Sequence, residues 1–187
     1  MTRVLSAISV ALALLVAATP QALAACEGRA AADGTTEWEY CSPAMEFYGA
    51  GGEWTWVKMR ACLVTNGDGK LWVRARVDDT QWARGVFKTW YRPSGTKEGI
   101  HTYRLTATVY LGKTRLGDFD TYPYGVDTTP TTVNSGGSTL YSVPAKGRGD
   151  YSVVFQFQQD GPYWTEKTYQ INSGERSVAL RMPCPHV

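Results

Sequence analysis

The sequence predicts an all-β domain: an antiparallel β-sandwich of about 8–10 short strands, with an immunoglobulin-like topology as one option. Three observations lead there. Apolar and polar residues alternate strictly through Thr55–Leu63, Leu71–Val77, Tyr103–Leu111 and Tyr151–Gln159. Gly, Pro, Asn and Asp punctuate the chain between these stretches, as turns require. No segment after residue 24 sustains a helical period beyond a couple of turns.

Residues 1–24 read as a signal peptide. Arg3 precedes an apolar run from Ile8 to Ala18, Pro20-Gln21 breaks it, and Ala22-Leu23-Ala24 has the small-x-small form of a cleavage site. The run is too short for a membrane span. Cleavage leaves residues 25–187 as a single secreted domain. Leu23-Ala24-Ala25-Cys26 also resembles a bacterial lipobox, which would anchor the protein at the cell surface through a lipidated Cys26. Lipidation would leave Cys41, Cys62 and Cys184, an odd number for an oxidising compartment, so secretion is the preferred expectation. Cys26, Cys41, Cys62 and Cys184 are then expected to form disulfides, in a pairing that spacing does not decide.

Residues 25–52 form a loop-rich acidic lead-in, with Glu37–Tyr40 a short edge strand and Gly49–Gly52 a hinge. Next comes the most legible stretch, a hairpin over Trp54–Asp78. Thr55, Val57, Met59, Ala61 and Leu63 share one face with Leu71, Val73, Ala75 and Val77, and the link Thr65–Lys70 supplies residues that accept positive φ. The opposite face carries Trp56, Lys58, Arg60 and Cys62 on one arm and Trp72, Arg74 and Arg76 on the other. Pairing Leu63 with Leu71 sets Arg60 against Arg74 and Lys58 against Arg76; a shift by two residues sets Arg74 against Cys62. The first register opposes like charges, which weakens a strand pair, and the shifted one still leaves the face basic. This face is therefore neutralised by acidic neighbours or left open for binding. Residues 25–53 hold six acidic groups and one basic group, whereas residues 54–115 hold twelve basic and four acidic groups, so the lead-in is the candidate cover.

Further along, strands are expected at Gly85–Arg92, at His101–Leu111 and, more briefly, at Asp118–Asp120. Tyr122–Gly137 reads as an extended loop, and Leu140–Val143 as a strand stopped by Pro144. Tyr151–Gln159 and Tyr163–Ile171 follow as strands, Asn172-Ser173-Gly174 as a turn and Ser177–Met182 as the last strand.

The chemistry on offer is sparse. His101 and His186 are the two histidines, and no GxSxG elbow accompanies either, so a hydrolase triad has no support. Asp118 with Asp120, and Asp78 with Asp79, lack the surroundings of an acid–base pair. Hairpin chemistry explains Asn66-Gly67-Asp68-Gly69 without calcium, and no phosphate loop precedes a helix. The expectation is a non-enzyme without cofactor, metal or nucleic-acid partner. It would act as a binding module through the cationic–aromatic set Trp56, Lys58, Arg60, Trp72, Arg74 and Arg76. Its partner would be an extracellular protein or an anionic or polysaccharide wall component, with a membrane involved only if Cys26 is lipidated. The alternatives are a carbohydrate- or wall-binding accessory protein using the tryptophans, and a secreted protease inhibitor presenting Tyr122–Ser138.

Overall fold

The computed structural model describes residues 28–30, 36–66, 69–92, 101–120, 124–126, 131–134, 142–161 and 169–182. The expected signal peptide, Cys26, Cys184 and most of the expected Tyr163–Ile171 strand lie outside them. The described residues are nearly all β. Their strands are β1 (Gly28–Ala30), β2 (Thr36–Cys41), β3 (Met45–Tyr48), β4 (Thr55–Asn66), β5 (Lys70–Arg84), β6 (Thr89–Tyr91), β7 (His101–Leu111), β8 (Thr114–Asp120), β9 (Tyr124–Val126), β10 (Thr131–Asn134), β11 (Val143–Pro144), β12 (Gly149–Asp160) and β13 (Ile171–Met182).

The predicted hairpin is the spine of an eight-stranded antiparallel sheet. Short pieces flank it on both sides: β2 and β3 run along β4, and β11, β10 and β6 run along β5. The second sheet has five strands, ordered β13-β12-β7-β8, with β9 also on β7. Parity did what it was expected to do. Val57, Met59, Ala61, Leu63, Leu71, Val73, Ala75 and Val77 are fully buried, and they share one core with Tyr103, Leu105, Val109, Tyr151, Val153, Phe155 and Phe157 of the second sheet.

The hairpin register is the shifted one: Leu63 stands opposite Val73, and Cys62 opposite Arg74. The pairing of Leu63 with Leu71 does not occur, because Thr65 takes the place opposite Leu71. The second arm also continues past Asp78 to Arg84, across a register shift that leaves Asp78 as an extra residue between Val77 and Asp79. A bulge of this kind turns two successive side chains to one face. Here they are Asp78 and Asp79.

Three further expectations are corrected. Gly85–Arg92 is a turn over residues 85–88 followed by the short strand β6. The Tyr122–Gly137 stretch is not all loop, since β9 pairs with β7 and β10 with β5, each edge supplying backbone partners to a long central strand. Asn172-Ser173-Gly174 is a bulge inside β13 rather than a turn. Gly174 takes φ 62°, its N–H donates to Asn172 Oδ1 at 2.9 Å, and Ser173 Oγ accepts the Phe157 N–H at 2.9 Å.

At one end the two sheets are tied by polar contacts as well as by the core. Gln159 is fully buried and its Nε2 donates to Thr80 Oγ1 at 2.9 Å, while the Thr80 hydroxyl donates to the Trp56 carbonyl at 2.9 Å. Nearby, Tyr169 donates its hydroxyl to the Ala83 carbonyl at 3.1 Å, and the Ala50 N–H donates to the Gln170 carbonyl at 3.2 Å. Thr80→Val takes one partner from the buried Gln159 amide and one from the Trp56 carbonyl, and is expected to lower stability by about 1–3 kcal/mol in urea denaturation. Thr80→Val combined with Gln159→Leu removes both partners and should recover much of that loss; no recovery would show that the contact contributes nothing.

Candidate functional site

The candidate surface is the outer face of the first sheet, where the hairpin register fixes the neighbours of each basic side chain. Arg60 and Arg76 face each other across β4 and β5. Each has its own acid: Arg60 Nε lies 3.0 Å from Asp78, which the bulge delivers to this face, and Arg76 Nη1 lies 3.2 Å from Glu39 of β2. Arg74 binds both Glu37, at 3.0 Å, and Glu39, at 3.4 Å, and only 11% of its side chain is exposed. Lys58 stands between Glu46 of β3 and Asp79 of β5 in the ladder. The acidic lead-in thus neutralises this face, and it does so as edge strands of the same sheet. Cys41 and Cys62 are directly opposed and form a disulfide that fixes β2 in this register.

The six residues singled out by parity do share this face, but they divide into two groups. Trp72 is half-buried against the core cluster and Arg74 is covered by carboxylates. Trp56 lies at the other end, between Tyr48 of β3 and Gln81 of β5.

That second end holds residues the parity reading did not single out. Among the described residues, the exposed large hydrophobic side chains are Tyr48, Val86, Phe87, Trp90 and Tyr91. All five belong to β3, to β6 or to the turn joining β5 to β6. Trp82 and Tyr91 are opposed across β5 and β6 and stack at 6.0 Å. In the turn, the Lys88 N–H donates to the Gly85 carbonyl at 3.0 Å, so Val86 and Phe87 occupy its two central positions. Lys88 has a φ of 48°, unusual for a residue with a side chain. Its Nζ donates to the Gly52 carbonyl at 2.6 Å and sits 5.1 Å from the centre of the Trp54 ring. A sequence signal for this end exists: residues 82–92, WARGVFKTWYR, combine aromatics with three cations and no acid.

The outer face of the second sheet is polar. Asp120 accepts from Arg104 at 2.7 Å, and Asp118 accepts from Thr108 at 2.8 Å and from Arg115. The Arg104 hydrogen bonds hold the Asp120 carboxyl below its ordinary range, and the Thr108 and Arg115 hydrogen bonds do the same for Asp118. A shallow depression of about 340 Å³ beside them is lined by Thr106, Gln156 and Glu175 as well. Asp118 and Asp120 are both engaged in hydrogen bonds with Arg104, Thr108 and Arg115. Among the described residues, the one grouping with metal-ligand atoms is Glu39 with Cys41 and Cys62. Its two sulfurs are bonded to each other, and Glu39 is taken by arginines. His101 opens β7, and His186 lies outside the described residues.

No family model matches the chain, and comparison with curated proteins and with solved structures finds no match.

Two measurements test this description. Arg74→Met takes the cation from the partly buried Glu37 and leaves Glu39 to Arg76 alone, and is expected to cost about 1–3 kcal/mol in urea denaturation. Arg60→Met, at a pair 42% exposed on the arginine side, should cost less than about 1 kcal/mol. Equal losses would contradict the assignment of Arg74 as the buried centre of the charge network. The second measurement is stability against pH. A depressed folded-state pKa gives stability that is complete above the unfolded value, ordinarily 3.8, and is lost as pH falls through the folded value. Asp118→Asn and Asp120→Asn should each flatten the fall in the urea midpoint below that pH; an unchanged acid limb would rule the pairs out as a source of it.

Proposed function

We propose that the chain is a secreted, non-enzymatic β-sandwich protein that works by binding, through the aromatic and basic end of its first sheet. The gathering at that end of all five large hydrophobics that are exposed among the described residues carries this reading, since isolated apolar side chains scatter whereas clustered ones mark contact surfaces. The Cys41–Cys62 disulfide is compatible with an oxidising, extracellular location. Two facing antiparallel sheets with one core support the sandwich. The Tyr151 hydroxyl, donating back to the Gly147 carbonyl at 2.8 Å, resembles the tyrosine corner of such domains. The disulfide joins neighbours within one sheet, unlike the inter-sheet bridge of antibody domains, and gives the immunoglobulin-like variant no support.

The binding set in this reading moves away from Trp72 and Arg74 and towards Trp56, Tyr48, Trp90 and Tyr91. A second reading, a carbohydrate- or wall-binding accessory protein, uses the same end and is favoured by the half-exposed rings of Tyr48, Trp90 and Tyr91. The protease-inhibitor reading draws less support, because β9 and β10 hold parts of Tyr122–Ser138 in edge strands.

Retention of the purified secreted protein on insoluble polysaccharides, cell-wall preparations and lipid vesicles tests the proposal. The wild type should be retained on at least one of them. Trp56→Ala with Trp90→Ala should weaken that retention by about tenfold or more, as expected for aromatic anchors, and Trp72→Ala should leave it unchanged. Retention that depends on Trp72 and not on Trp56 or Trp90 would overturn the placement. Retention on none of them would overturn the reading as a surface-binding module.

A further inference from the structure

A tight turn normally places Gly, Asn, Asp or Pro at its centre. The turn between β5 and β6 places Val86 and Phe87 there, and they are 93% and 94% exposed. Gly85, at φ 78°, and Lys88, at φ 48°, bracket them in left-handed conformations. For Lys88 that conformation is held by the bond from its Nζ to the Gly52 carbonyl and by the Trp54 ring. The turn is therefore a fixed projection that presents two apolar side chains to solvent at the tip of a hairpin.

We propose that this tip docks the protein on an anionic lipid surface, with Val86 and Phe87 entering the headgroup–acyl boundary. The inference rests on the reading of this end of the sheet as the contact surface, and names its partner. The surroundings of the tip match what such a surface recognises. Arg84 and Lys88 flank the tip, whereas Arg92 is paired with Asp79 at 3.2 Å, so the charge that complements anionic headgroups is that of Arg84 and Lys88. Trp90 and Tyr91, both 44% exposed, lie on β6 directly behind it, at the level where amphipathic rings favour the bilayer interface. A protein partner fits less well. A stable protein interface covers roughly 800 Å² on each side, whereas the tip offers two side chains on a narrow turn. A bilayer accepts apolar side chains one at a time, adding their burial to the electrostatic attraction. Polysaccharide would stack on exposed rings and would have no use for Val86.

Co-sedimentation with phosphatidylcholine vesicles, with and without phosphatidylglycerol, tests the proposal on the secreted protein. Val86→Ser with Phe87→Ser is the informative variant. Both side chains lie outside the core, and the turn's own hydrogen bond uses backbone atoms. The wild type should sediment with the phosphatidylglycerol vesicles, more weakly as salt rises and little with phosphatidylcholine alone. The double variant should lose about tenfold or more in partition, the least expected from partly burying a Phe and a Val. Equal sedimentation of wild type and variant would overturn the docking role of the tip. Failure of the wild type to sediment, with Trp56- and Trp90-dependent retention on polysaccharide intact, would overturn the lipid inference and leave the contact surface standing. Failure on every surface would remove both. Dimerisation of the wild type that Val86→Ser with Phe87→Ser abolishes, without vesicle binding, would assign the tip to a second copy of this chain and also overturn the proposal.

Discussion

Arg60 and Arg76 stand directly opposite each other in the central ladder, and the first sheet is arranged around making that tolerable. Like charges at opposed positions weaken a strand pair by an amount comparable to what a favourable pair contributes, up to about 1 kcal/mol. Two separate devices deal with it. The bulge at Asp78 turns an extra carboxylate outward to Arg60, and β2 brings Glu39 to Arg76 and, with Glu37, to Arg74. The second device works only if β2 stays in register. The disulfide between Cys41 and Cys62 closes a separation of 21 residues at the strand end, worth about 3 kcal/mol in the chain-entropy picture. Charge compensation and covalent linkage are therefore parts of one solution: the bridge places the carboxylates, and the carboxylates allow the basic ladder.

That arrangement explains what could be read from the residues alone. Parity along a strand is a local property, so the buried set of both hairpin arms and of β7 and β12 was legible from alternation. Register is not local. Pairing Leu63 with Leu71 satisfies the apolar faces as well as the shifted pairing does, and both leave the outer face basic. What separates them includes the span of the turn and the carboxylates waiting beyond the hairpin. Bulges were hidden for a related reason. Asp78-Asp79 and Asn172-Ser173-Gly174 carry the composition of strand ends and turns, and only the partner strand shows that each continues a ladder. The short strands β9 and β10 were missed because their pairing is set by the free edges of β7 and β5, which lie far away in sequence.

The candidate surface was legible in part. Placing Trp56 on the outer face with the arginines was correct as geometry, yet parity counts every outward residue alike. It cannot see that Arg74 is covered while Tyr48, two strands' worth of chain earlier, opens beside Trp56. Val86 and Phe87 were hidden more deeply. An apolar pair flanked by aromatics reads as strand interior, and the left-handed residues on either side, which convert it to a turn, include a lysine.

A strained lysine at a turn needs surroundings that hold it, and the structure supplies them at this end. Thr80 and Gln159, Tyr169 and Ala83, and Ala50 and Gln170 join the sheets here, beneath the start of β4 and the end of β5. The same region anchors Gly52, whose carbonyl receives the Lys88 ammonium. Backbone strain persists only where neighbouring contacts over-determine it, and it gathers where a side chain must be presented rather than packed. At the opposite end of the hairpin the Gly69 N–H donates to the Asn66 carbonyl, and Gly69 takes φ 67° without a side chain to strain. The left-handed conformation that falls to glycine at Gly69 falls to a lysine at Lys88, and this costlier choice is the one that carries Val86 and Phe87 into solvent.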